Sequence, residues 1–222
     1  MEINKIIEYS LSIPKSIFFC LRCLSFRNAL RIPIIVRYNV IIKSVGDINL
    51  GEIRPGCVRI GFGDVGIFDK ARERSIWDVN GKVSFLGRCF IGHGSRIVVG
   101  TEGQVTFGDL FRCTSAMSLI CFKEICFGSR VLVSWETLFM DTDFHYVQDI
   151  SDDTILENRK PIIVGDHVWI GCRTTVMKNA VIKNDSIVAA GAVVVGQYNE
   201  PNILIGGCPS KIIKKDINWR GR

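Results

Sequence analysis

Aliphatic side chains recur at every sixth position late in the chain: Val164, Ile170, Val176, Ile182, Val188 and Val194. Four positions on from each of the first five stand Val168, Thr174, Ala180, Ser186 and Ala192, all small or modest in size. An α-helix repeats its apolar face at about 3.6 residues and a plain strand at about 2; neither produces a strict six. The period returns upstream. Phe85, Ile91 and Ile97 are followed at the same offset by Cys89, Ser95 and Thr101. Phe127, Val133 and Phe139 are followed by Val131, Thr137 and Asp143. The phase slips between these blocks, so loops interrupt the pattern, the largest over 145–163.

Each hexad reads as one short strand plus a corner. Three hexads close a triangular coil with one aliphatic side chain inward from each face, and successive coils stack by parallel-strand hydrogen bonds at about 4.8 Å. Corners need unusual φ, which explains Asn179, Asn184, Asp185 and Gly191 at those places. No hexad buries its apolar residue alone, so stability comes from its neighbours in the stack. The predicted fold is all-β, a parallel β-helix over 45–208. Residues 1–44 carry no hexad order. Lys5 to Leu11 and Ser16 to Leu30 read as partly amphipathic helix, punctuated by Pro14 and Pro33. Residues 209–222 form a tail.

Length and charge refine this picture. The 222 residues suffice for one core and a small N-terminal attachment. The net charge is +6, and residues 11–45 hold Lys15, Arg22, Arg27, Arg31, Arg37 and Lys43 with no acid among them. Two uses of that segment stay open: a helical cap on the open end of the coil, or a peripheral contact with an anionic membrane surface. No nucleic-acid partner is expected. No apolar run approaches the roughly 20 residues of a membrane span, and no signal peptide is apparent. The nine cysteines are odd in number and lack a secretory spacing, so they are expected to be reduced and mostly buried, in a cytoplasmic protein that works free or at the inner membrane face. The lone Cys20–Cys23 pair lacks the second ligand pair that a zinc site needs.

Three segments carry a resemblance. They are Asp141 to His145; Lys160 to Gly171, reading KPIIVGDHVWIG; and Ala189 to Val194, leading to Gly206 to Lys214. In this order and spacing they resemble the hexapeptide-repeat acyltransferases, nearest the galactoside and maltose O-acetyltransferase branch and related polysaccharide-cluster enzymes. The likeness covers about residues 83–215. It implies a left-handed coil, a homotrimer with active sites between subunits, acetyl-CoA as donor and a carbohydrate acceptor. It also implies His145 as catalytic base, Trp169, Cys172 and Ala190 beside the pantetheine arm, and Lys211 and Lys214 near the nucleotide phosphates. The chain departs from the pattern at Val195 and Gly196, where Thr and Lys are common, and at Cys172 and Ala192, where serine is common.

The residues suit this chemistry. Acyl transfer to a hydroxyl needs a base, and an imidazole with an ordinary pKa near about 6.5 serves at neutral pH. Of His93, His145 and His167, only His145 ends a hexad block where a loop leaves the coil. The other two fall at positions that normally face solvent and are expected to be structural. Asp143, two residues before His145, is the candidate to orient its ring or bind acceptor, with Asp141 the alternative. A γ-class carbonic anhydrase would need three zinc histidines with a close pair, which is missing, and no metal is expected. An amine acceptor on an amino sugar or antibiotic, a non-catalytic scaffold, and an acyl-cysteine mechanism at Cys172 remain the competing expectations.

Overall fold

The computed structural model describes residues 2–70 and 72–221. The strands arrange as three faces of a triangular prism, each built of parallel strands from successive rungs. The first face runs from Ile34–Val36 through Val58–Phe62, Cys89–Gly92, Phe111–Cys113, Leu132–Val133 and Trp169–Ile170 to Ile187–Val188 and Leu204–Gly207. Ser210–Lys214 then folds back antiparallel and closes its top edge. Parallel pairing starts at Ile34, ahead of the boundary expected at residue 45.

The sixfold pattern is the core. Val164 is 2% exposed, and Ile170, Val176, Ile182, Val188 and Val194 are wholly buried, as are Val168, Thr174, Ala180, Ser186 and Ala192. Ile170 pairs in register with Val188, three hexads later. Thr101 and Asp143 depart from expectation: Thr101 is exposed and Asp143 half-buried. Both lie at the corner between the second face, which runs from Ile41–Ser44 through Leu138–Met140 to Val193–Val194, and the third, which runs from Asp47–Leu50 through Ile162–Val164 to Gln197–Tyr198; extra residues there push the chain outward. Along the axis, Phe85, Phe107 and Phe127 stack with centroids 5.4 Å apart. Rings placed this way add to their area burial.

Corners repeat a left-handed backbone step. Asn179, Asp185 and Gly191 adopt it as expected, with φ of 69°, 59° and 73°, whereas Asn184 does not and instead accepts from the Asp166 backbone N–H through its Oδ1 at 2.9 Å. Arg130, Glu136 and Arg173, which the sequence does not mark, adopt it as well. Each such non-glycine residue costs about 1–2 kcal/mol, offset by the rung-to-rung pairing that the corner permits.

Helix α1 (Glu2–Cys23) closes the base. Phe19 is fully buried edge-on to Trp77 at 5.8 Å. Ser16 Oγ accepts from the backbone N–H of Val36, and Ser12 Oγ from that of Tyr38. Lys15 Nζ donates to the carbonyls of Tyr38 and Val40. These bonds satisfy the first rung, whose open edge would otherwise invite another strand. The inward side of α1 is therefore a cap. Its outward side leaves Ile7, Leu11, Phe18 and Leu21 exposed.

His93 overturns the expectation of a solvent-facing ring. It is fully buried, edge-on to Phe68 at 5.7 Å, with neither ring nitrogen partnered among the described residues. Burial pushes its pKa down; nearby Arg37 and Lys70 add to this, while Asp64 and Glu73 oppose it. Because the folded pKa lies below the unfolded value of about 6.5, the unfolded chain takes up the proton first. This contribution to stability is complete above about pH 6.5 and is lost as pH falls toward the folded pKa. We expect the melting midpoint of His93→Leu to drop less than that of wild type between about pH 7.5 and 5.5. Parallel decline of the two would show that His93 does not supply the acid sensitivity.

Candidate active site

His145 stands on an excursion that leaves the prism after Leu138–Met140 and returns at Ile162–Val164. Asp141 fixes its departure. The Asp141 carboxylate is fully buried and accepts from the backbone N–H groups of Phe122, Lys123 and Glu124 at 2.7–2.8 Å. Burying a carboxylate is tolerable only with such a set of donors. Asp141 is thus an anchor for the loop, bonded to the preceding rung. Thr142 Oγ1 accepts from Phe144 N–H at 3.0 Å, and Phe144, at φ 61°, packs edge-on against Phe122.

The Asp143 carboxylate forms an ion pair with Lys178 Nζ at 2.5 Å. Lys178 also donates to the Glu157 carbonyl at 2.7 Å, tying the two ends of the excursion together. Both ends are pinned, and His145 is exposed between them. Beyond it, Val147–Gln148 and Ile155–Leu156 form an antiparallel hairpin. Tyr146, Val147, Ile150, Ile155 and Leu156 all lie exposed there, Ile150 at 95%.

The other candidate residues gather elsewhere. Trp169 points outward from the first face, and its indole N–H donates to Ser134 Oγ at 3.2 Å. Cys172 and Ala190 occupy consecutive rungs at the corner between first and second faces, linked by the Gly191 N–H to Cys172 carbonyl bond of 2.9 Å. Gly171 is required there, since a Cβ would come within 2.5 Å of the Ala190 nitrogen. Lys211 and Lys214 lie exposed on the closing strand, opposite Gly206 and Leu204. Those five share one end of the first face and its corner. His145 leaves from a different corner, between the second and third faces.

No protein-family model matches the chain. An uncharacterized 24.8 kDa protein in the cps region of Klebsiella pneumoniae is 28% identical over 205 residues, covering 90% of this chain and 86% of that protein. Galactoside O-acetyltransferase of Escherichia coli K12 is 32% identical over 133 residues, 60% of each chain. Among solved structures, the polySia specific acetyltransferase NeuO superposes with a TM-score of 0.53 at 17% identity, over 85% of this chain and 79% of that one. These likenesses support the hexapeptide-repeat acetyltransferase family, and the chain is an acetyltransferase. Its fold is that family's left-handed parallel β-helix, with a short N-terminal helical segment.

Several features of this acetyltransferase's site escape the sequence. Trp219 stacks on His167 with centroids 4.5 Å apart, donates its indole N–H to the His167 carbonyl at 2.8 Å, and approaches Trp169 at 6.1 Å. The tail thus lies back along the acetyltransferase's first face. His167 Nδ1 lies 2.8 Å from Asp185 Oδ1, which fits the structural role expected of it. Ser134, Lys178 and the anchoring use of Asp141 are likewise contacts between rungs. Of these only the acid types were visible as candidates. Among the described residues no three His, Cys, Asp or Glu side chains group as metal ligands. All nine cysteines are free. Cys23 donates to the Phe19 carbonyl at 3.2 Å, and burial pushes its thiol up to about 12, a structural cysteine rather than a reactive one.

Proposed function

We propose that this acetyltransferase moves the acetyl group of acetyl-CoA onto a sugar hydroxyl, in a homotrimer whose active sites lie between subunits, with His145 as base. The carrying observation is the separation of the parts. An exposed imidazole sits on a loop pinned at both ends, while the donor-side candidates Trp169, Cys172, Ala190, Lys211 and Lys214 lie along another corner. A neighbouring copy brings the two together and covers the apolar hairpin beyond His145. His145 takes the hydroxyl proton as oxygen attacks the thioester carbonyl. Collapse of the tetrahedral intermediate expels the CoA thiolate, which receives that proton from the imidazolium. Asp143, paired with Lys178, holds the loop that presents His145. The thin amide chain of pantetheine suits the small-residue corner at Cys172 and Ala190, and Lys211 and Lys214 suit phosphates at the open end.

The relative from a cps region and the polySia specific neighbour favour a surface-polysaccharide acceptor. Free thiols and a cytosolic donor suit the cytoplasm. The exposed outer line of α1, with Arg22, Arg27 and Arg31 close by in the chain, suits a peripheral contact at the inner membrane face.

Mixed assembly tests the shared site. His145→Ala and Ala190→Trp are each expected to lack activity with labelled acetyl-CoA and a sugar panel. Refolded together in equal amounts, they should regain about one site in four by random pairing of subunits. No recovery, with trimers present by light scattering, would place the whole site within one chain.

A further inference from the structure

Outward residues of the first face stack in register below Trp169: Leu132, then Arg112, then Phe90, then Arg59. Below Leu132 this strip turns basic. A shallow cavity of about 250 Å³ opens among Arg59, Arg88, Phe90, Leu110 and Arg112. The Arg112 guanidinium lies over the Phe90 ring, 5.2 Å from its centroid. Arg59 Nε donates to the Gly56 carbonyl at 3.2 Å. Among the described residues no carboxylate pairs with the side chains of Arg59, Arg88 or Arg112. The nearby acids are engaged elsewhere: Asp109 accepts from the Arg88 backbone N–H at 2.7 Å, and Glu52 pairs with Arg54. Phe90 also lines a second cavity of about 720 Å³ beneath α1. There Arg37 and Lys70 share the Glu8 carboxylate, and Tyr9 stacks on Phe62 at 4.7 Å. The two cavities meet at Phe90.

We propose that this arginine-lined groove binds an acidic glycan chain, with sugar carboxylates on Arg59, Arg88 and Arg112 and sugar faces against Phe90 and Leu110. Guanidinium groups bind carboxylates through paired N–H bonds. Arg59 and Arg112 stand two rungs apart, about 10 Å at the spacing of stacked strands. The Phe90 ring lies between them, so the strip offers guanidinium, apolar ring and guanidinium in turn, a spacing that carboxylates on a chain of sugars can match. The aromatic cavity beneath α1 gives the chain room to continue past Phe90.

Binding is measured without acyl donor, so failure of acetyl transfer leaves this test unaffected. Tetragalacturonic acid and a hyaluronan octasaccharide are titrated calorimetrically at low salt, with maltotetraose and pyrophosphate as controls. At least one acidic oligosaccharide should bind and weaken as salt rises, while maltotetraose does not bind. Arg59→Gln/Arg88→Gln/Arg112→Gln should lose at least about tenfold in affinity. Because all three are exposed, its melting midpoint should stay near wild type. Arg88→Gln, whose side chain makes no ion pair among the described residues, gives a second reading with a loss of about threefold. No binding of either acidic probe, equal binding by the arginine variants, or pyrophosphate binding as tightly as the oligosaccharides would overturn the proposal. The last result would point to a phosphate-bearing ligand instead.

Discussion

Replacing His145 with alanine is expected to lower kcat by at least about 100-fold, with acetyl-CoA affinity and assembly unchanged. Loss of a positioned general base ordinarily costs about 10² to 10⁴ in rate, and 100-fold corresponds to about 2.7 kcal/mol of barrier. The effect should fall on kcat because the loop does not depend on the imidazole. Asp141 bonds to three backbone N–H groups of the preceding rung, and Lys178 ties Asp143 to Glu157 at the loop's return. Among the described residues, the only hydrogen bond in which His145 is the donor runs from its backbone N–H to the Asp143 carbonyl at 2.7 Å. Removing the ring therefore leaves the scaffold intact. Single-turnover kinetics with labelled acetyl-CoA, beside calorimetric donor binding, separate the two quantities. Turnover within about tenfold of wild type would assign the proton to another group.

What the sequence reveals follows from where its periodicity is unbroken. From Val164 to Val194 each corner has the same length, so each inward position falls at a multiple of six and all are buried. Earlier, the segment between Phe62 and Ser75, the extra residues between Val99 and Gln104, and the excursion after Met140 shift the phase. Thr101 and Asp143, assigned inward by counting, lie outside the core. His93 misleads in the opposite direction: its hexad position faces outward, but it is fully buried, edge-on to Phe68 of that earlier segment. Contacts made across rungs leave no local trace. Nothing near Asp141 in the sequence says that it caps Phe122 to Glu124, and nothing near Trp219 says that it stacks on His167. The histidine on the loop is legible because the break in period coincides with it. Its partners are not, because they come from other turns of the coil and, in the proposed trimer, from another chain.

Val188→Asp should be the most damaging single change in the scaffold. Val188 is fully buried and sits in register between Ile170 below and Ile205 above. A carboxylate there has no donor to meet it, because the backbone N–H groups of both neighbouring rungs are committed to the parallel ladder. Ala189 N–H bonds the Ile205 carbonyl at 2.8 Å, and Gly171 N–H bonds the Val188 carbonyl at 2.8 Å. Leaving a charge unpaired in such a place costs about 3–5 kcal/mol, against a total stability of about 5–15 kcal/mol for most domains. For a chain of this size that translates to a fall of about 6–20 °C in melting midpoint. The loss should also be directional. Rungs contact only their neighbours, so the strands above Val188, Leu204–Gly207 and Ser210–Lys214, lose their support first. Hydrogen exchange should rise there well before it rises around Phe107, which stays enclosed by the aromatic stack. Val188→Ala, which leaves a cavity but no charge, should lower the midpoint by only a few degrees and leave exchange at Phe107 unchanged. A midpoint for Val188→Asp within about 3 °C of wild type would mean that residue 188 does not face the axis, and with it the sixfold reading of the coil would fail.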